Sequence, residues 1–259
     1  MRIALGVEYD GSAFYGWQVQ PGLRTVQACV EQALSKVADH PVQVVTAGRT
    51  DTGVHAAGQV IHFDSTAARS IRSWVFGANT HLPKDISITW AQEVGDDFHA
   101  RFSATARHYR YVILNRAVRP GLWGSKVSWC YYPLDVQRMS AAAVHLVGEH
   151  DFSSYRALSC QAKNPLRTIR HLDVRREGEL VIMEVIANAF LQHMVRNIAG
   201  VLMTIGAGER EPEWAQQVLL ARDRTLGGVT APPHGLSLTA VEYPARFKLP
   251  CLSSAALLC

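Results

Sequence analysis

Residues 46 to 58 read Thr-Ala-Gly-Arg-Thr-Asp-Thr-Gly-Val-His-Ala-Ala-Gly. One carboxylate, Asp51, directly follows Thr50 and stands two residues from a guanidinium, Arg49. Gly48, Gly53 and Gly58 punctuate the stretch. An acid in a glycine-rich turn beside an arginine contributes little to an apolar core. The arrangement suits holding one charged oxygen at a fixed place in a cleft. Two other readings stand beside it. Asp51 can act as an Asx-turn acid, bonded to its own backbone. Asp51-Thr52-Gly53 is also the tripeptide of aspartic proteases, whose chemistry needs two carboxylates sharing a proton. No second Asp-Thr-Gly or Asp-Ser-Gly occurs here, and Arg49 puts positive charge where that class has apolar residues.

The elements that must position this loop follow from hydrophobic periodicity. Ile3 to Tyr9 reads as a strand ending at the turn Asp10-Gly11-Ser12. After a loop rich in Gly, Pro and Gln, Val26, Cys29, Val30, Ala33, Leu34 and Val37 recur at helical spacing. That helix starts near Thr25 and is ended by Pro41. Val42 to Ala47 and Gln59 to Asp64 read as strands with the Asp51 turn between them. A second helical pattern covers Ser70 to Asn79, followed by a strand from Ile86 to Val94.

A second unit begins near Thr105. Along its first strand Arg107, Tyr109, Tyr111 and Ile113 share one face, and His108, Arg110, Val112 and Leu114 the other. Helical periodicity runs from Val136 to Val147, and residues 166 to 176 and 179 to 188 read as a hairpin. A long helix is expected from Phe190 to Ile205, stopping at Gly206-Ala207-Gly208. Its apolar stripe is Phe190, Met194, Ile198, Val201, Leu202 and Ile205, with His193 and Arg196 off that stripe. A short helix over Glu213 to Ala221 and a strand from Leu236 to Tyr243 complete the pattern. Mixed strands and helices give an α+β class. The expected division is 1–104, 105–246 and an apolar tail, 247–259, with a similar order of elements in the two halves.

Composition narrows the chemistry. The 259 residues are 48% hydrophobic and 19% charged, enough for one large or two small cores. No apolar run approaches the ~20 residues of a bilayer span. Acids appear within the first ten residues, too early for a signal-peptide core, so the cytoplasm is the expected location. Five cysteines without C-x-x-C spacing indicate neither a disulfide framework nor a zinc site. The eleven histidines form no H-E-x-x-H or comparable cluster and read as scattered surface and core residues. Net charge is +4, carried by 21 Arg and only five Lys. Arginine forks match phosphate oxygens and stack on bases, which suits RNA. A GC-rich genome gives the same bias.

Four ordered segments carry a resemblance. They are Ala47 to Ala56 around Asp51, Arg101-Phe102-Ser103-Ala104-Thr105-Ala106, His108-Tyr109-Arg110-Tyr111, and Phe190 to Gly200. Together they make the chain similar to the tRNA pseudouridine synthase A family along nearly its full length. Thr52 departs from the family, where Ala is more common, and the apolar tail resembles an extension.

The resemblance implies the pseudouridine synthase fold: two similar lobes, each a mixed or antiparallel sheet flanked by helices, with a catalytic cleft between them. It implies isomerisation of uridine to pseudouridine at positions 38 to 40 of the tRNA anticodon stem-loop, by homodimers and without cofactor or metal. Asp51 would be the nucleophile; an aspartate of ordinary pKa, about 3.9, is already ionised at neutral pH. Arg196 would be the cation that holds it, and Tyr109 the aromatic stacked on the uracil. Arg49 would fill the space left by the flipped nucleotide or hold a phosphate. His55 would order the loop, and Tyr111 is expected in the core. Arg24, Arg107, Arg110, Arg167 and Arg170 are candidates for contacts along the stem. The rival is a non-catalytic RNA-binding module that presents Tyr109 and Tyr111 for stacking, with Asp51 a turn residue.

Overall fold

The computed structural model describes residues 1–250, and the apolar tail expected at the C-terminus lies, from Cys251 on, outside them. The chain forms two compact units. One is Met1–Thr105 together with the described residues from Ser237 onward; the other is Ala106–Leu236.

In the first unit β1 (Arg2–Tyr9) is flanked by β3 (His55–Asp64) and β4 (Ile86–Val94), both antiparallel to it. The first strand is buried at Ile3, Ala4, Leu5 and Val7, on both faces of the pleat, as a central strand must be. A short β2 (Val45–Thr46) pairs with β3, so only two residues of the strand expected over 42–47 join the ladder. Helix α1 (Val26–Ala38) buries Val26, Val30, Ala33, Leu34 and Ala38. Asp39, in the left-handed region at φ 60°, ends it ahead of Pro41. The helical pattern expected over 70–79 contains a π-helical stretch, Ser73–Gly77, that runs into α2 (Ala78–His81). Strand β10 (Leu236–Glu242), expected to complete the second half, pairs in parallel with β3 through Ser237↔His55 and Leu238↔Ala56. Beyond it Phe247 joins a cluster of Ala4, Ala47, Val60, Phe98 and Ala100. His62 is buried beside Phe98, and its Nδ1 accepts the Ala100 N–H at 3.1 Å. Burial pushes its pKa down to about 4, as a core histidine held neutral.

The second unit is a sheet in which β9 (Leu180–Ala187) lies antiparallel to both β5 (Ala106–Asn115) and β8 (Leu166–Glu177). The expected hairpin is present, turning at Gly178 with φ 60°. Two short strands extend the sheet: β6 (Ser128–Cys130), parallel to β5, and β7 (Gly148–Asp151), antiparallel to β8. Helix α3 (Val136–Val144) is capped by the Asp135 carboxylate, which accepts the Arg138 N–H at 3.1 Å. Helix α4 (Met194–Gly206) starts four residues later than expected, because His193 adopts the left-handed region at φ 62°. It is buried on nearly every side, including Asn197, whose amide donates to Tyr155 O and accepts from Arg224 and Thr230. Helix α5 is Trp214–Ala221. No helix among the described residues is long and apolar enough to cross a membrane.

Candidate active site

The loop that carries Asp51 is tied down on both sides of the acid. Upstream, the Gly48 carbonyl accepts from the Gln59 side chain at 2.7 Å and from the Thr46 hydroxyl at 3.3 Å. At Thr50 the carbonyl accepts the Trp17 N–H at 3.0 Å, and Oγ1 lies 2.8 Å from the Tyr9 hydroxyl. Downstream, the Val54 N–H donates to Asp51 O at 3.1 Å, closing a tight turn through Gly53 at φ 79°. The Gly53 N–H in turn donates to Phe14 O at 3.4 Å. Asp51 is itself half-buried, between buried Thr50 and exposed Thr52.

Residues 10–17 form the wall behind this turn. Gly16, at φ 82°, lies so close that a Cβ there would stand 2.8 Å from Thr50 O and 3.1 Å from the Asp51 carbonyl carbon. A Cβ at Gly11 would collide with Val54 O. Both glycines are therefore required for contact between the two segments, and Gly16 also for its backbone conformation. His55 is buried, and its Nδ1 lies 3.0 Å from the Gly11 nitrogen and 3.1 Å from an Asp10 carboxylate oxygen. That ring joins the start of β3 to the same wall, which supports a role in ordering the loop. None of Tyr9, Gly16, Trp17 and Gln59 was singled out by sequence. The signal that could have found them is the unusual run Asp10-Gly11-Ser12-Ala13-Phe14-Tyr15-Gly16-Trp17, where two glycines interrupt aromatic residues.

Arg49 is exposed and makes no hydrogen bond or ion pair among the described residues, although only Thr50 separates it from the acid. Its guanidinium is thus available to an outside anion.

Tyr109 and Arg196 belong to the second unit. Tyr109 is 9% exposed on β5, on the buried face that alternation assigned, and meets Phe190 edge-on at 5.1 Å between ring centroids. Tyr111, fully buried, bonds Pro232 O at 2.9 Å and the Ser128 hydroxyl at 2.6 Å. Burial raises its pKa, and it is a core tyrosine. Arg196 projects from the first turn of α4 and donates from Nε to Ala231 O at 2.8 Å, while its own carbonyl accepts the Ala231 N–H at 3.1 Å. This two-point attachment fixes where its guanidinium can reach.

The other arginines differ in standing. Arg24 is committed to Asp85 through two 2.9 Å bonds and lies 4.0 Å above the Phe14 ring. Arg107 is buried with a bond to Asn188 O, and Arg110 pairs with Glu184 at 2.7 Å. Arg167 donates to Asn164 O and Leu166 O, and burial lowers its pKa. Arg170 is exposed on β8. Most of these side chains are thus occupied in holding the fold.

The fold is that of a two-unit α+β protein whose first unit carries an aspartate on a fixed loop. The chain belongs to the tRNA pseudouridine synthase family, whose profile matches residues 6–103 and 142–244. Asp51, Arg49 and Arg196 lie inside the matched spans, and Tyr109 in the interval between them. The chain is 60% identical to a tRNA pseudouridine synthase A of Nitrosococcus oceani, over 98% of both chains. It is 60% identical to that of Alcanivorax borkumensis over 96% of this chain and 94% of the relative. For that of Methylococcus capsulatus the identity is 61% over 96% and 92%. The family is one of isomerases, and the non-catalytic alternative finds no support among these relatives.

Proposed function

We propose that this protein isomerises uridine to pseudouridine in tRNA, at positions 38 to 40 of the anticodon stem-loop, acting in the cytoplasm as a homodimer with Asp51 as nucleophile. In this isomerisation the N1–C1′ bond breaks, the uracil turns over, C5 bonds to C1′ and the C5 proton is lost as N1 gains one. The reaction needs one nucleophile, a pocket that tolerates rotation of a base, and a way to expose the nucleotide. Asp51 supplies the first. Tyr109 supplies a stacking partner, an interaction that is indifferent to orientation within the ring plane. Arg49 is available to the backbone or to the space a flipped nucleotide leaves, an opening that costs a few kcal/mol. Arg196 is the cation we assign to serve this carboxylate, as the family resemblance implies.

The observation that carries this reading is the half-buried Asp51 on a turn fixed at Gly48, Thr50 and Gly53. A carboxylate that must meet one carbon of a large substrate benefits from such fixation. The test is Asp51→Asn, assayed for tRNA affinity and for pseudouridine mapped in unmodified transcripts. The variant is expected to bind as wild type does and to lose turnover by at least about 10³-fold. Retained pseudouridine formation would refute Asp51 as nucleophile. Arg196→Ala is expected to lower turnover far more than affinity, and a loss confined to affinity refutes its assignment.

A further inference from the structure

Tyr15 is 52% exposed between two fully buried aromatic neighbours in sequence, Phe14 at 2% and Trp17 at 1%. Its backbone is held at both ends. The N–H donates to Arg24 O at 2.9 Å, and the carbonyl accepts from the Gln20 side chain at 2.8 Å. The residues around it are bonded to the nucleophile loop at two points, Gly53 N–H to Phe14 O and Trp17 N–H to Thr50 O. These two bonds bracket Tyr15 and Gly16 on one strand of chain against Asp51 and Thr52 on the other. Gly16 closes the gap, since it has no Cβ to stand off Thr50 and Asp51.

An exposed aromatic ring on a fixed backbone has lost its backbone freedom before any ligand arrives, which lowers the cost of binding. The backbone that carries the ring is bonded on both sides of it to the turn that holds the acid. Among the described residues no ring contact or side-chain hydrogen bond engages the ring. Arg49, exposed and without a partner among the described residues, lies on the same turn. An exposed aromatic ring and an exposed guanidinium on two segments bonded to each other match a base and a phosphate of single-stranded or opened RNA. A ring exposed this far does not form a water-excluding pocket, so it fits a neighbour of the reacting nucleotide rather than the reacting base.

We infer that Tyr15 is a substrate-binding residue that stacks on a nucleobase flanking the target uridine, and so holds open the stem beside Asp51. This rests on the tRNA isomerase reading above, and its test reads binding as well as turnover. Tyr15→Ala, Tyr15→Leu and Tyr15→Phe are compared with wild type for the affinity of an unmodified tRNA transcript, the single-turnover rate, and the thermal midpoint. Ala and Leu are expected to weaken affinity or slow the single turnover by at least about fivefold, with Phe within about twofold of wild type. In transcripts with an abasic site at the flanking position that Tyr15 covers, the Ala variant is expected to match wild type.

Ala within twofold of wild type on both readouts overturns the inference. So does Leu performing as well as Phe, since bulk without a π face would then suffice, or Phe failing as badly as Ala, since the hydroxyl would then be the contact. If wild type binds the transcript and never forms pseudouridine, the isomerase reading falls, and the affinity series still decides whether Tyr15 stacks on RNA.

Discussion

Tyr9 lies at 5% exposure on the last position of β1, and burial pushes its pKa up to about 12, so it stays a neutral phenol through the physiological range. A buried hydroxyl needs a partner, and Tyr9 has Thr50 Oγ1 at 2.8 Å, with the Gln59 side chain also in reach. Gln59 donates in turn to Gly48 O. Two side chains, Tyr9 from β1 and Gln59 from β3, therefore hold the chain on the N-terminal side of Asp51. One such bond contributes about 1 kcal/mol, and a partner left buried and unsatisfied costs about 1–3 kcal/mol. If that energy sets where the carboxylate points, Tyr9→Phe and Thr50→Val each lower kcat by about three- to thirtyfold, since 1.4 kcal/mol is about tenfold in rate. The affinity for tRNA is expected to stay unchanged, and Thr50→Ser to restore the rate. Because the two residues share one bond, the double variant should be no slower than the slower single one. Losses that multiply in the double variant, or that fall on affinity alone, would remove Tyr9 from the positioning of Asp51.

At the scale of elements, α4 and the chain segment at 229–231 illustrate how a glycine sets the place of an arginine, Gly200 that of Arg196. Arg196 and Gly200 are one helical turn apart, so both face that segment. Ala231 is bonded at both its N–H and its carbonyl to Arg196, and a Cβ at Gly200 would collide with Val229 O. Gly200 thus lets the segment lie against the helix closely enough for the Arg196 Nε bond to form. Gly200→Ala gains up to about 1 kcal/mol of helix propensity. The collision is with backbone, and overpacking of that kind costs about 1–3 kcal/mol or more. A net destabilisation of up to about 2 kcal/mol is expected in urea unfolding, together with a fall in turnover as Arg196 shifts. A variant as stable and active as wild type would show that the segment moves away without consequence.

The same elements show which parts of the fold were legible. Helix α1 and strands β4 and β5 follow from periodicity, because their apolar residues repeat at 3.6 or 2, whereas β1 is legible as a continuous apolar run ended by a turn and the β8–β9 hairpin by its Glu-Gly turn. β7 reads Gly-Glu-His-Asp and has no apolar residue to repeat, and β6 is only three residues long. The start of α4 is not legible, because the apolar pattern extends upstream to Phe190, whereas the helix begins after the left-handed His193. The Asp51 turn was legible because its glycines and charges are local. The wall behind it was not, since Tyr9 and Thr50 meet across 41 positions and no local pattern encodes contact between two loops.

On the scale of the molecule, the unit that carries Asp51 is discontinuous, whereas the other is a single stretch of chain. The returning segment does more than add a strand edge. Tyr243 donates its hydroxyl to Ala100 O at 2.6 Å, Glu242 O accepts the Thr105 N–H at 2.8 Å, and Phe247 O accepts from Gln92 at 3.0 Å. Phe247 also packs edge-on against Phe98 at 5.1 Å, inside the cluster that contains Ala4, Ala47 and Val60. Without that segment the cluster loses an aromatic side chain, a change of about 3–5 kcal/mol in buried sites, and three bonded groups lose their partners. A domain of this size has about 5–15 kcal/mol to lose. A fragment of residues 1–105 is therefore expected to lack cooperative unfolding and to be cut rapidly by protease. The same fragment joined by a Gly/Ser linker to residues 237–250 should recover both cooperativity and protection. Residues 106–236, which need no returning segment, are expected to fold alone. A cooperative transition in 1–105 by itself, at the stability of the linked form, would mean that the loop bearing Asp51 is held without residues 237–250. Recovery in the linked form alone would mean that synthesis must reach β10 before the Asp51 turn acquires its geometry.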